Sequence, residues 1–138
     1  EIYHDNILFM NETFRKKKVF NKIIVGSVLQ YLKNYDEIEK VFQNLNNISS
    51  TKSLILFTHN PDKIKKSSFI KTYKNLNWHK KKIERSLKME NQRFWLDYKK
   101  IKILADKNGF KSKKIKIDKK FFQSTHMFDL LIERKNVQ

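Results

Sequence analysis

Two short apolar runs, Lys22 to Val25 (Lys-Ile-Ile-Val) and Ser53 to Thr58 (Ser-Leu-Ile-Leu-Phe-Thr), constrain this chain more than any other feature. Neither alternates polar with apolar, so each reads as a strand covered on both faces, as in a parallel sheet. Gly26 and Ser27 end the first run, and Asn60 and Pro61 end the second, since proline has no N–H for a ladder. Between the runs, Ile38, Val41, Phe42, Leu45 and Ile48 recur at helical spacing behind Asn34, a candidate cap, and Asp36, Glu37 and Glu39 suit the positive end of a helix. Asn46, Asn47, Ser49 and Ser50 read as a polar break. Strand, helix, strand in this order predicts parallel pairing through a right-handed crossover.

Residues 62–92 scatter Phe69, Tyr73, Leu76, Trp78, Ile83, Leu87 and Met89 among lysines and read as a basic helical insert or lid. A second helical stripe begins at Phe94 and runs through Tyr98, Ile101 and Ala105, widened by Trp95 and Leu104. It should stop near Lys107, before the left-handed cap that Asn108-Gly109 suits. Lys111 to Asp118 set Ile115 and Ile117 opposite lysines, the mark of an edge strand or one with a wet face. Phe121 to Thr125 turn the chain. His126 to Glu133 is dense enough for a final strand, and the short connection makes its pairing with 111–118 antiparallel.

The chain has 138 residues, enough for one core. It contains no cysteine, which excludes disulfides, thiolate nucleophiles and cysteine-based zinc sites and fits a cytoplasmic setting. No stretch approaches the length needed to cross a bilayer, so a soluble protein without a membrane partner is expected. The net charge is +17, and residues 62–120 carry most of it, with 21 basic and 6 acidic side chains. Such an excess raises nucleic acid as a partner, but 27 of the 31 basic residues are lysine, and recognition of bases and phosphates favours arginine. Nucleic acid is therefore the less favoured partner.

The order of elements, with the second helix ending Ala105 to Phe110, resembles the second half of a class I S-adenosylmethionine-dependent methyltransferase. Val19 to Leu32 is similar to that family's fourth strand and following turn, Leu54 to Pro61 to its fifth strand, and Phe128 to Arg134 to its seventh. Glu1 to Phe9 resembles the end of the third strand and its acidic loop, with Leu8 where proline is usual; Asn21 stands where aspartate is usual. The family's glycine-rich loop and the acidic residue ending its second strand are not among these residues. The resemblance implies an α/β fold: a partial Rossmann-like methyltransferase sheet, with strands equivalent to the fourth to seventh, closed by a C-terminal antiparallel hairpin. Residues 1–138 are then one domain, the C-terminal part of a methyltransferase domain. The chain opens on Glu1-Ile2-Tyr3 without a methionine, and on its own it is expected to self-associate and to bind cofactor weakly or not at all.

The resemblance also implies roles. Asp5 matches the carboxylate that accepts from the adenine amino group of S-adenosyl-L-methionine, and Asn6 the backbone N–H that meets the ring. Gly26 and Ser27 match the strand end beneath the cofactor's methionine portion, and Gln30 and Tyr31 would face the methyl group, although Val28, Leu29 and Leu32 make core the favoured reading of Tyr31. His59 is the group after the second run able to take a proton near neutrality, while sulfonium chemistry can proceed on alignment and desolvation alone. His4, His79 and His126 lack partners at ligand spacing, so no metal is expected. The acceptor expected is a small molecule or sugar, anionic to suit the lysines. The competing reading is a basic, non-catalytic α/β module that binds RNA or a protein partner.

Overall fold

The computed structural model describes residues 6–10 and 20–135. Strand β1 (Phe20–Gly26) is followed by a turn of 3-10 helix at Leu29–Tyr31, helix α1 (Tyr35–Ile48) and strand β2 (Ser49–Pro61). Helices α2 (Lys66–Lys74), α3 (Lys80–Gln92) and α4 (Tyr98–Lys107) come next, then strands β3 (Phe110–Ile115) and β4 (Met127–Arg134). The sheet order is β1-β2-β4-β3. As the sequence predicts, β1 and β2 are parallel with Gly26 opposite Thr58, β3 and β4 are antiparallel, and β3 lies at an edge.

Alternation along the strands sorts the core. Val25, Ile55, Phe57, Leu130 and Ile132 are buried on one face, where Ile38, Val41, Phe42 and Leu45 of α1 and Ile101 and Ala105 of α4 contribute to the same core. The Phe42 ring stands edge-on to Phe57 at 5.8 Å and tilts toward Phe110 at 6.3 Å, so one aromatic side chain joins helix, central strand and edge strand. Helix α1 begins where expected: Asn34 Oδ1 accepts from Glu37 N at 3.0 Å, satisfying an otherwise orphan amide.

Five expectations of the fold are corrected. The runs in β1 and β2 are covered on one face only among the described residues; on the other, Ile24 is 75% exposed and Leu54 is exposed as well. The polar break at 46–50 is absent, because α1 continues to Ile48 and β2 starts at Ser49, whose carbonyl takes a hydrogen bond from Arg134. Pro61 ends β2 as expected, but Asn60 does not stop the strand before it. The strand absorbs Asn60 through a bulge that follows Phe57, where Asn60 Nδ2 donates to the carbonyls of Phe57 (2.9 Å) and Phe128 (3.2 Å).

The fourth correction concerns the stripe expected to begin a helix at Phe94. Phe94 to Leu96 instead form an extended strap: Phe94 N donates to Gln30 O (3.0 Å), Leu96 N to Pro61 O (2.9 Å), and Leu96 O accepts from Lys63 N (3.0 Å). Their backbone groups are spent across the ends of β1 and β2, and the helix starts only after Asp97, whose Oδ1 accepts from Lys99 N. Lys114, expected on the wet side of β3, is turned onto the covered face, where its Nζ lies 2.6 Å from Oδ2 of buried Asp62.

The apolar uncovered face yields a prediction. Ile24→Glu with Leu54→Glu should reduce self-association of the chain in sedimentation velocity while changing unfolding free energy by less than about 1 kcal/mol, because both side chains already face water. Unchanged association would locate the sticky surface elsewhere.

Candidate functional site

Parallel register puts the carboxyl ends of β1 and β2 at the same end of the sheet, β2 running on past Thr58 to Pro61, and in open α/β sheets ligands bind beyond such ends. At the end of β1 the chain turns sharply: Ser27 adopts a left-handed conformation (φ 55°) and its N–H donates to Thr58 O at 3.1 Å. Across from this turn, residues 6–10 form a tight bend. Asn6 Oδ1 accepts from Leu8 N (2.9 Å), Asn6 O from Phe9 N (2.8 Å), and Asn44 Nδ2 of α1 fastens the bend by donating to Ile7 O (2.9 Å).

Between the bend and the turn lies a cleft of about 760 Å³, lined by Asn6, Gly26, Ser27 and Tyr31, with Lys33 and Glu37 also on its wall. Three of the four residues expected to meet a cofactor thus share one cavity. The fourth, Asp5, lies outside the described residues. Among the described residues, a Cβ built on Gly26 would approach only Thr58 Oγ1 within 4 Å, at 3.7 Å, so their packing does not require glycine there.

A second cleft, of about 410 Å³, is lined by Gln30, Tyr31, Lys33, Met89, Arg93 and Phe94. Tyr31, Leu32 and Lys33 border both clefts, making the turn after β1 a ridge between them. Tyr31 is 76% exposed, which corrects the expectation that it is core; Leu29 and Leu32 take the buried positions of that turn. Gln30 is buried. Its Nε2 donates to Ser27 O (3.2 Å), which fixes the amide orientation and leaves Oε1 enclosed without a partner among the described residues.

His59 stands apart. It is exposed, sits at the β2 bulge in a left-handed conformation (φ 57°), donates its N–H to Asp129 Oδ1 at 2.8 Å, and lines neither cleft.

Residues that sequence reasoning passed over gather where the insert meets the sheet. His126 is buried, stacks on Phe69 (3.8 Å, 18°) and shares a hydrogen bond between Nδ1 and Thr125 Oγ1 (2.9 Å). Burial, with help from Arg93 and Lys65, pushes its pKa down to about 4. Burial raises Glu90, against the opposing pull of Arg93 (3.3 Å) and Lys66. Neither role is readable from spacing, since both depend on the insert folding back onto the sheet. Among the described residues no group of three or more His, Asp or Glu side chains could hold a metal ion, and no helix is long and apolar enough to cross a membrane.

No protein-family model and no curated protein matches the sequence. Solved structures do match in fold. Magnesium protoporphyrin IX methyltransferase from Synechocystis PCC 6803, with bound SAH, aligns over 95% of this chain and 49% of its own at 11% identity and TM-score 0.58. An O-methyltransferase family protein from Burkholderia thailandensis aligns over 99% and 36% at 14% identity and TM-score 0.61. The N-methyltransferase NodS from Bradyrhizobium japonicum WM9, in complex with S-adenosyl-L-homocysteine, aligns over 96% and 53% at 12% identity and TM-score 0.52. The chain therefore has the Rossmann-like α/β fold of methyltransferases and spans about half the length, or less, of these three.

The depressed His126 makes stability pH-dependent in a fixed direction. Above its unfolded pKa of about 6.5 the residue is neutral in both states; as pH falls from there toward 4 the unfolded chain takes up a proton that the fold resists, and stability is lost. Denaturant unfolding at pH 7 and pH 4.5 should show a loss of about 2 to 3 kcal/mol from this residue, absent in His126→Phe. Equal pH slopes in both proteins would exclude it.

Proposed function

We propose that this chain forms the C-terminal half of a domain that transfers a methyl group from S-adenosyl-L-methionine to a small, anionic acceptor. The observation that carries the reading is the convergence of Asn6, Gly26 and Ser27 on one cleft beyond the parallel strand ends of a methyltransferase-like sheet. The residues fit the group in kind. Gly26 presents bare backbone where packing would admit a side chain, so a ligand can lie close against the strand end. The bend at Asn6 offers main-chain polar groups opposite, held in place by Asn44.

When bound, S-adenosylmethionine supplies an electrophilic methyl group on sulfur. The chain's part is to hold the two reactants on either side of the ridge at Tyr31, the acceptor in the cleft over Gln30 and Phe94. Lys33 and Arg93 line that cleft and would draw an anionic acceptor, while Phe94 and Met89 present apolar surface. In-line transfer draws mainly on alignment and exclusion of water, which the enclosed Gln30 and the strap at Phe94 to Leu96 assist by fixing the cleft floor. His59 lies at this end of the sheet but lines neither cleft, so it takes the acceptor's proton only where the acceptor reaches beyond the second cleft to the β2 bulge.

Titration with S-adenosylhomocysteine to millimolar concentration should move the backbone amide resonances of Asn6, Gly26 and Ser27, even where affinity is weak. No movement there, with RNA binding in the same sample, would favour the basic-module reading instead. In an active methyl-transfer assay, His59→Ala should lower kcat by about 100-fold if the imidazole takes the proton, with the loss relieved at high pH; a change within about threefold would leave alignment as the whole of catalysis.

A further inference from the structure

The charge concentrated in residues 62–120 is not absorbed by the two clefts, and part of it surrounds an apolar surface at the same end of the sheet. The turn after β2 (Lys63–Lys65) and the turn before β4 (Phe122–Thr125) lie against one another. Lys65 Nζ donates to Ser124 O (2.7 Å), Asp62 N donates to His126 O (2.8 Å), and the Phe122 ring packs near His126 (5.4 Å) and Phe69 (6.1 Å). Built this way, the two turns hold Ile64, Phe121 and Phe122 out toward solvent, 78%, 52% and 55% exposed.

Exposed Lys63 belongs to the first turn, and exposed Lys116 and Lys119 to the segment that leads from β3 into the second. Of the acidic residues there, Asp62 is buried against Lys114 and Asp118 is matched by Lys120 at 3.4 Å. A face with three protruding apolar side chains and a surplus of cations needs a partner that is both anionic and apolar within a few ångströms of its surface.

We propose that this face docks onto an anionic lipid surface, Phe121, Phe122 and Ile64 entering the headgroup–acyl boundary while the lysines meet the lipid phosphates and carboxylates. Three features favour lipid over nucleic acid. Ile64, the most exposed of the three, has no π-face on which a base could stack. The cations are all lysine, compact point charges without the bidentate fork that reads bases and phosphates. The aromatic pair sits at a loop tip between strands rather than on an exposed sheet face that could carry successive bases. Because Met127 pairs with Pro61 at the strand ends, docking would bring the clefts near the bilayer.

Co-sedimentation with vesicles tests this without reference to methyl transfer. The chain should bind phosphatidylcholine vesicles in which about a third of the lipid is phosphatidylserine, and not pure phosphatidylcholine. Phe121→Ala with Phe122→Ala should weaken that binding at least about tenfold. Because Phe122 touches Phe69 and His126, Phe121→Ala and Ile64→Ser are read separately; each should weaken binding by about threefold or more with the thermal midpoint unchanged. Failure to bind the anionic vesicles would overturn the proposal. So would binding insensitive to all of these substitutions, which bulk charge alone would give, or a dependence on the phenylalanines seen only with poly-uridylate RNA.

Discussion

The parallel pairing of β1 with β2 is the constraint from which the rest follows. With Ile23 opposite Ile55 and Val25 opposite Phe57, the two strands run the same way, so the link between them must cross over, and α1 is that crossover. The helix has to cover the face that carries Val25, Ile55 and Phe57, which explains its stripe of Ile38, Val41, Phe42 and Leu45. The same pairing points both strands' carboxyl ends the same way, so the turn after β1, the bulge in β2 and the strap at Phe94 to Leu96 all gather at one end of the sheet. Had the strands been antiparallel, Gly26 and Thr58 would lie at opposite ends, and no cleft would join Ser27 to the bend at Asn6.

A second level of order comes from polar groups that the sheet end encloses. Asp62 is buried, and Lys114 from β3 reaches it while its ammonium lies 4.7 Å from the centre of the Phe128 ring. A buried ion pair is weak evidence of net stability, since desolvation offsets much of the attraction, but removing one partner strands the other. Its consequence here is geometric: the pair holds the segment after β2 against the far edge strand, and with it the turn that carries Ile64. His126 acts alongside, neutral in its aromatic setting and bonded through its carbonyl to Asp62 N. The basic insert is thereby seated on a neutral, mostly aromatic base, with its lysines facing outward.

The sequence made the central elements legible because their signals are local. Uninterrupted apolar runs identified β1 and the middle of β2, helical spacing behind Asn34 identified α1, and alternation marked β3 as an edge. Where expectation failed, a distant partner had overridden a local signal. Asn60 looks like part of a strand stop, yet its amide bridges Phe57 and Phe128 and carries β2 through a bulge as far as Pro61. Phe94 and Trp95 fit the helical stripe of α4, but the strap's amides bond to Gln30 and Pro61 and hold that stretch extended. Of the candidate site, the residues that the family resemblance placed against the cofactor, Asn6, Gly26 and Ser27, share one cleft, whereas Arg93 and Phe94 come from 60 or so residues away and joined the second cleft only through the insert's folding.

The strand end itself carries a further argument for a site. Backbone conformation alone would place glycine where φ is positive and a side chain where it is not. Here the order is reversed: Ser27 holds the left-handed conformation at φ 55°, a strain of order 1 kcal/mol for a residue with a Cβ, while Gly26 occupies a position that has neither positive φ nor a steric need for glycine. Exchanging the two would relieve the turn and fill the space above the strand end. What the native order preserves is an open floor at 26 and a polar side chain at 27, both on the wall of the larger cleft. His59, the other left-handed non-glycine residue at this end of the sheet, lies one position past Thr58, the residue that receives the Ser27 amide. Of these two strained positions, Ser27 alone lies on the wall of a cleft, so the strain after β1 coincides with the candidate site, whereas that at His59 accompanies the bulge in β2.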